Sequence, residues 1–166
     1  MDFEIIKIGH EHLDAILRVQ QSAYSTQFHE DIKTFASKID YSPKTCYGVL
    51  VENKLVAYAI SFPWSSDEIV NLNSTLNLNF QKPTVMYIHD ISVDLDYQGL
   101  GLATTLLRKI THTALELDLH MLTLVAVQGS STYWSKFGFV KSELKVNNYG
   151  LEAVKMTLTL DSNYIV

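Results

Sequence analysis

Cysteine occurs once in the 166 residues, at Cys46, so no internal disulfide forms and a secreted disulfide framework is excluded. No apolar run approaches the roughly 20 residues that a membrane-spanning helix needs. The longest, Met121 to Val127, is strand-sized. Basic side chains are in the minority, 13 against 18 acidic for a net charge of −5. That balance argues against a nucleic-acid partner, which calls for a basic face. The opening Met1-Asp2-Phe3-Glu4 sets acids where a secretory leader carries bases, and a cytoplasmic location away from membranes is the expectation. Repeats, low-complexity tracts and linkers are also missing. What is present is a globular composition, 47% hydrophobic and 19% charged. Its length suits one domain over residues 1–166, burying about two thirds of the surface an unfolded chain exposes.

Hydrophobic spacing divides the chain into strands and helices. Phe3 to Ile8 reads as a strand, Glu11 to Tyr24 as a helix and Glu30 to Ile39 as a second helix ended by Ser42-Pro43. Thr45 to Val51 and Leu55 to Phe62 form a hairpin through Glu52-Asn53-Lys54. Pro63 to Pro83 is a long polar connection, of the kind that is usually either a binding loop or a disordered segment. Thr84 to Val93 is the next strand, and Leu102 to about Asp118 has the clearest helical stripe, Ala103, Leu106, Leu107, Ile110, Ala114 and Leu117. Met121 to Val127 suits the middle of a sheet. A short helix opens at Gly129-Ser130-Ser131 and stops at Gly138. Phe139 to Leu144 and Glu152 to Leu160 are the last strands. The order β-α-α-β-β-β-α-β-α-β-β describes an α/β (α+β) fold, a mixed sheet flanked by helices.

Between the strand ending at Val93 and the long helix lies Gln98-Gly99-Leu100-Gly101-Leu102-Ala103-Thr104. Bare N–H groups and the helix dipole at such a place can hold a phosphate. A dinucleotide fingerprint fails here, because Thr104 stands where the third glycine belongs. A P-loop fails too, since no lysine follows Gly101. Standing alone, the turn is read sooner as plain geometry. It has company, however. Gln98-x-x-Gly101-x-Ala103 resembles the Q/R-x-x-G-x-G/A signature of the GNAT superfamily of acyl-CoA-dependent N-acyltransferases. Downstream, Ser130-Ser131-Thr132-Tyr133-Trp134-Ser135-Lys136-Phe137-Gly138-Phe139 is similar to its A-x-x-[FY]-[YW]-x-K-x-G-F stretch. The element order is also the GNAT order, so the resemblance spans almost the whole chain.

The resemblance implies a mostly antiparallel sheet of about six or seven strands with about four helices. It implies acetyl-CoA as co-substrate, and nothing in it requires a metal. Backbone groups of Gln98, Gly99, Leu100, Gly101, Leu102, Ala103 and Thr104 would receive the pyrophosphate. The pantetheine arm would pair with Ile91, Ser92 and Val93 where the family's sheet splays open. Ser130 either caps the short helix or meets the pantetheine. Arg108 and Lys109 either meet the ribose phosphate or form a solvated helix face.

Acyl transfer to an ammonium needs a base first, because the cation has no lone pair; a thiolate is a tolerable leaving group. By resemblance to arylalkylamine N-acetyltransferases, His89 is the candidate base, its alternative being a satisfied core histidine. Strand alternation sets His89, Ile91 and Val93 on one face and Asp90 on the other. The pair His10-x-His12 lacks metal-site spacing, and His10, His12, His29, His112 and His120 read as surface residues. Trp134 departs from the family, standing where many members place a general-acid tyrosine. Tyr133 beside it is the candidate thiol proton donor, or else packs against sheet or cofactor. Cys46, away from both motifs, speaks for direct attack without a covalent enzyme intermediate.

For the acceptor, Trp64, Asn71 and Asn73 are candidates to line a pocket, with Trp64 equally a loop anchor. Asp67, Glu68 and the net acidity favour a cationic small-molecule amine. The alternatives are a protein N-terminal or lysine acetyltransferase and a non-catalytic acyl-CoA-binding module. The final strands are either a homodimer surface, as in many relatives, or lead into a frayed tail over Asp161 to Val166.

Overall fold

The computed structural model describes residues 1–65, 68–77, 82–143, 146, 149–150 and 152–161. Its centre is a hairpin: β2 (Tyr47–Val51) and β3 (Lys54–Trp64) meet through Glu52 and Asn53, whose φ of 50° and 63° suit a two-residue turn between twisted strands. β1 (Glu4–Lys7) adds antiparallel outside β2, and β4 (Val85–Val93) adds antiparallel to β3. β5 (Met121–Ala126) lies parallel to β4, while β7 (Val154–Thr159) pairs antiparallel with both β5 and the two-residue β6 (Val140–Lys141). The order across this seven-stranded sheet is β1-β2-β3-β4-β5-β7-β6.

Apolar stripes place the helices. From α1 (Leu13–Ala23) and α2 (Ile32–Tyr41), the buried Ile16, Val19, Phe35 and Ile39 pack with Tyr58, Ile60, Phe62 and Tyr87 on one face of the sheet. From α3 (Leu102–Glu116), Leu102, Leu106, Leu107, Ile110 and Ala114 pack with Val49, Met86, Ile88, Leu122 and Leu124 on the other. α4 (Ser131–Ser135) follows β5 and ends before Gly138, whose φ of 88° allows the chain to turn into β6. Among the described residues no helix is long and apolar enough to cross a membrane.

The element order is the one the sequence implies, with some boundaries moved. β3 runs on through Pro63 to Trp64, so the long connection begins two residues later. Pro63 is tolerated because it lies beyond the last β2 partner of β3, Ala59, where no second neighbour asks for its missing N–H. His10–His12 forms a separate 3-10 turn ahead of α1. His12 and His29 are partly buried rather than surface residues: His12 Nδ1 accepts the Gly9 N–H and His29 Nε2 pairs with the Tyr24 carbonyl.

One irregularity governs the site. Ile60 faces Asp90 across the β3–β4 ladder but Ser61 faces Ile88, so His89 is an extra residue, a β-bulge. The parallel β4–β5 pairing covers Met86, Tyr87 and Ile88 and stops there. The bulge also corrects the alternation expected for β4. His89 stacks on Phe62 and Tyr87, and Asp90 meets Tyr24 and Tyr58, so both face α1 and α2. Ile91 and Val93 pack on the α3 side.

Leu106, fully buried between α3 and the sheet, tests this packing. Leu106→Ala is expected to cost about 2–5 kcal/mol in urea unfolding; a loss under about 1 kcal/mol would mean that α3 does not seal this face.

Candidate active site

Past Ile88, β4 has a partner on one side only. Asp94 N–H donates to the Val56 carbonyl, so the backbone groups of alternate residues, Asp90 and Ser92, also face β3. Those of Ile91 and Val93 consequently face the gap. Their carbonyls already have side-chain donors: Tyr24 Oη at 3.3 Å from Ile91 O and Gln98 Nε2 at 3.2 Å from Val93 O. Into the same gap opens the first turn of α3. Gly101 caps it in the left-handed region (φ 79°, ψ 8°), and Gly99 has φ 77°. A Cβ at either would meet no atom within 4 Å, so their backbones lie open to a ligand.

The result is a cleft of about 460 Å³ lined by Ile91, Ser92, Val93, Gln98, Gly99, Gly101, Leu102, Ala103, Thr104 and Tyr133 together with Ala23, Tyr24 and Tyr97. Ten of the expected cofactor residues are thus brought together. Leu100 is 54% exposed and is not on the wall. Lys109 lies over the Tyr47 ring, and neither it nor Arg108 lines the cleft. A free strand edge beside an open helix N-terminus suits an arm with amides joined to a pyrophosphate.

A crevice of about 200 Å³ continues inward, sharing Tyr24, Ile91, Ala103 and Tyr133 with the cleft and adding Ile88, His89, Asp90, Ser130 and Trp134. Ser130 has no side-chain bond capping α4, because its own φ and ψ are helical (−72°, −1°), so the capping alternative does not hold. Tyr133 stands at the junction, half-buried. Burial pushes its phenol up and a hydrogen bond with Thr104 opposes this. Trp134 turns instead onto Phe137 and Phe139.

Beyond His89 lies a cavity of about 40 Å³ walled by Tyr24, Phe28, Glu30, Leu72, Asp90, Val125, Val127 and Tyr149. The Tyr149 hydroxyl donates to the Val70 carbonyl, joining the segment after β6 to the one after β3. The His89 side chain is 1% exposed; Nε2 sits 2.6 Å from Glu30 Oε1, and Nδ1 is buried without a hydrogen-bond partner among the described residues. Glu30 Oε2 also meets Lys38 Nζ at 3.2 Å and the Asn73 N–H at 2.8 Å. Burial raises the Glu30 carboxyl, but His89, Lys38 and the Asn73 N–H together outweigh it and bring it down to about 2. Burial raises Asp90 from 3.8 to about 6, although Tyr58, Tyr24 (2.8 Å) and His89 all oppose the rise.

The acceptor candidates lie elsewhere. Trp64 packs edge-on against Tyr41 and Phe62, outside the walls of the cleft, the crevice and the cavity. Asn73 bonds Asp31 and Glu30, buttressing the site from behind, and Asn71 lines a surface groove with Trp64 and Glu68. Asp67 is outside the described residues. Cys46 is fully buried, its thiol pushed up to about 12 by burial with a Ser61 hydrogen bond opposing, so it offers no thiolate. Among the described residues no group of three or more His, Cys, Asp and Glu is placed to hold a metal. Sequence reasoning missed Tyr24, Glu30, Lys38, Tyr58 and Tyr149. The available signal was Lys38, a cation inside the buried stripe Thr34, Phe35, Ile39 of α2.

Residues 13–139 match the family model described as Acetyltransferase (GNAT) family. The chain belongs to the GNAT family. It is thus an acetyl-CoA-dependent N-acetyltransferase, and no curated protein gives a significant match. Solved GNAT structures superpose along nearly the full length. Ard1 from Thermoplasma volcanium has a TM-score of 0.78 at 14% identity, covering 98% of this chain and 100% of that one. The ribosomal-protein-S18-alanine N-acetyltransferase from Escherichia coli has 0.71 at 20%, covering 99% and 100%. The PaiA N-acetyltransferase from Thermoplasma acidophilum, solved with coenzyme A, has 0.69 at 13%, covering 96% and 99%. At these identities the likeness is one of fold.

Two outcomes are expected. Gly101→Val puts a β-branched side chain at φ 79° and over the open helix end, so calorimetry is expected to give a coenzyme A Kd raised at least about tenfold; an unchanged Kd would place the pyrophosphate elsewhere. Asp90 has a folded value raised above its ordinary one, so its stabilising contribution is full below 3.8 and lost as pH rises through about 6. The stability of Asp90→Asn relative to wild type is therefore expected to improve from pH 4 to pH 7.5 in urea unfolding. A difference independent of pH would mean that Asp90 is solvated.

Proposed function

We propose that this GNAT enzyme transfers an acetyl group from acetyl-CoA to the primary amine of a small molecule, by direct attack. The observation carrying this reading is the small pocket of about 40 Å³ beyond His89, walled by aromatic rings and two carboxylates. A space of a few water volumes admits an ammonium head and its first carbons, not a folded peptide segment. Glu30 and Asp90 supply negative potential for a cation, and Tyr24, Phe28 and Tyr149 supply ring faces.

In this reading the cleft along β4 and the N-terminus of α3 holds the cofactor, with the thioester reaching the inner crevice. Gln98, Gly99 and Gly101 to Thr104 hold the pyrophosphate, and the gap-facing amides of Ile91 and Val93 meet the pantetheine. His89 takes the proton from the ammonium, and the freed nitrogen lone pair attacks the thioester carbonyl. The C–N bond forms, the C–S bond breaks, and the electron pair leaves on sulfur. The thiolate takes a proton from Tyr133, which lines both cleft and crevice, or from water. Trp134 has no proton to give at neutral pH.

The test is thiol release from acetyl-CoA with phenethylamines, polyamines, aminoglycosides and short peptides. Turnover is expected with small cationic amines and not with peptides. Acetylated peptides would favour the protein acetyltransferase reading, and coenzyme A binding without turnover the non-catalytic module. In His89→Gln, kcat is expected to fall about 100-fold or more with coenzyme A affinity retained; an unaltered rate would remove His89 from the chemistry.

A further inference from the structure

Glu30 and Lys38 lie buried behind His89, and packing alone gives no reason for them. Their side chains are 3% and 0% exposed, and apolar residues of similar volume would fill the space without desolvating two charges. Glu30 is in the turn between α1 and α2, its backbone clasped on both sides by Gln20: Glu30 N–H to Gln20 Oε1 at 2.7 Å and Gln20 Nε2 to Glu30 O at 3.0 Å. Such a grip on a turn residue holds its carboxylate in place. One oxygen contacts His89 Nε2; the other meets Lys38 Nζ and the Asn73 N–H. Lys38 Nζ also donates to the Ser74 carbonyl at 2.9 Å.

Hydrogen-bond chemistry settles the tautomer. An ionised carboxylate only accepts, so Nε2 must carry the proton that bridges 2.6 Å to Glu30. The lone pair of a neutral His89 is then on Nδ1, the atom without a partner among the described residues. A lone carboxylate beside a buried imidazole would draw a second proton onto the ring and leave an imidazolium, which is no base. The Lys38 cation, 3.2 Å from the same carboxylate, opposes that pull while the hydrogen bond remains.

We propose that Glu30 and Lys38 are positioning residues: Glu30 fixes His89 in the Nε2–H tautomer, and Lys38 keeps the ring neutral so that Nδ1 is free to take a proton. This deepens the reading of His89 as base and rests on it. Other titratable groups face the ring from each packed element: Asp90 and Tyr87 on β4, Tyr24 at the end of α1, Tyr58 on β3, Tyr133 on α4 and Tyr149 after β6. Asp90 remains in every variant below, so the comparisons isolate Glu30 and Lys38. The bonds to Asn73 and Ser74 also tie the segment after β3 to this carboxylate and cation.

The pH profile of kcat/KM is the first test. Glu30→Gln removes the anion, and its acid limb is expected to move to lower pH with kcat down at least about tenfold and the KM for acetyl-CoA kept. Lys38→Met leaves the anion uncompensated, and its acid limb is expected to move to higher pH. Displacements of opposite sign support the proposal; no displacement, or the same sign in both, overturns it. Nitrogen-15 NMR of the wild-type imidazoles at neutral pH, with His89 assigned through His89→Gln, is independent of turnover and of how well the Glu30 and Lys38 variants fold. A neutral Nε2–H ring is expected; an imidazolium or an Nδ1–H ring overturns the proposal. Unchanged turnover in His89→Gln would instead defeat the base assignment, so the two failures are read in different experiments.

Discussion

The site depends on the parting of β4 from β5 after Ile88. Up to that residue the two strands share a parallel ladder; beyond it the bulge at His89 bends β4, and the outward backbone groups of Ile91 and Val93 lose any strand partner. Unpaired backbone at the middle of a sheet is costly unless something satisfies it. Gln98 answers the Val93 carbonyl, and the Tyr24 hydroxyl, shared with Asp90, lies 3.3 Å from the Ile91 carbonyl, leaving N–H groups for a ligand. The same parting opens room for the first turn of α3 and for Tyr133 to face the strand. One extra residue in a ladder thus makes a cleft, a free edge and a buried histidine together.

The second constraint is charge in a dry place. Glu30, Lys38, His89 and Asp90 are gathered between the sheet and the α1–α2 layer. Tyr24 and Tyr58 donate to Asp90 and hold its carboxylate against the end of α1 and against β3. Burial raises both carboxyls; at Glu30 the contacts from His89, Lys38 and the Asn73 N–H outweigh it, whereas at Asp90 those from Tyr58, Tyr24 and His89 do not. Two carboxylates near one imidazole thereby take different roles. The reach of this network to Asn73 and Ser74 links the segment after β3 to the histidine.

Much of this was legible in the sequence. The order of elements followed from apolar period, a local rule; the glycine turn Gln98-Gly99-Leu100-Gly101 stood out in its strand-to-helix context, and its reading as a cofactor site came from the resemblance. The choice of His89 as candidate base came from the resemblance, and its orientation was not legible. Strict alternation separates His89 from Asp90, and a bulge leaves no mark in a run such as Tyr87-Ile88-His89-Asp90 that the period alone can show. The partners of His89 come from residue 30, 59 positions away, and from residue 38, a separation that no local pattern spans. Trp64 looked like a pocket wall because its ring suits one. In the fold it serves the aromatic cluster with Tyr41 and Phe62, since β3 runs two residues longer than its spacing implied.

The free edge of β4 is the claim most directly open to measurement. Amide hydrogen exchange at Ile91 and Val93, followed by NMR with and without coenzyme A, reports on those groups alone. The account requires both amides to exchange fast in the free protein and to be slowed on saturation, while Ser92, already bonded to β3, changes little. Amides at Ile91 and Val93 that are protected before ligand is added, or that exchange equally fast in the saturated protein, would contradict it.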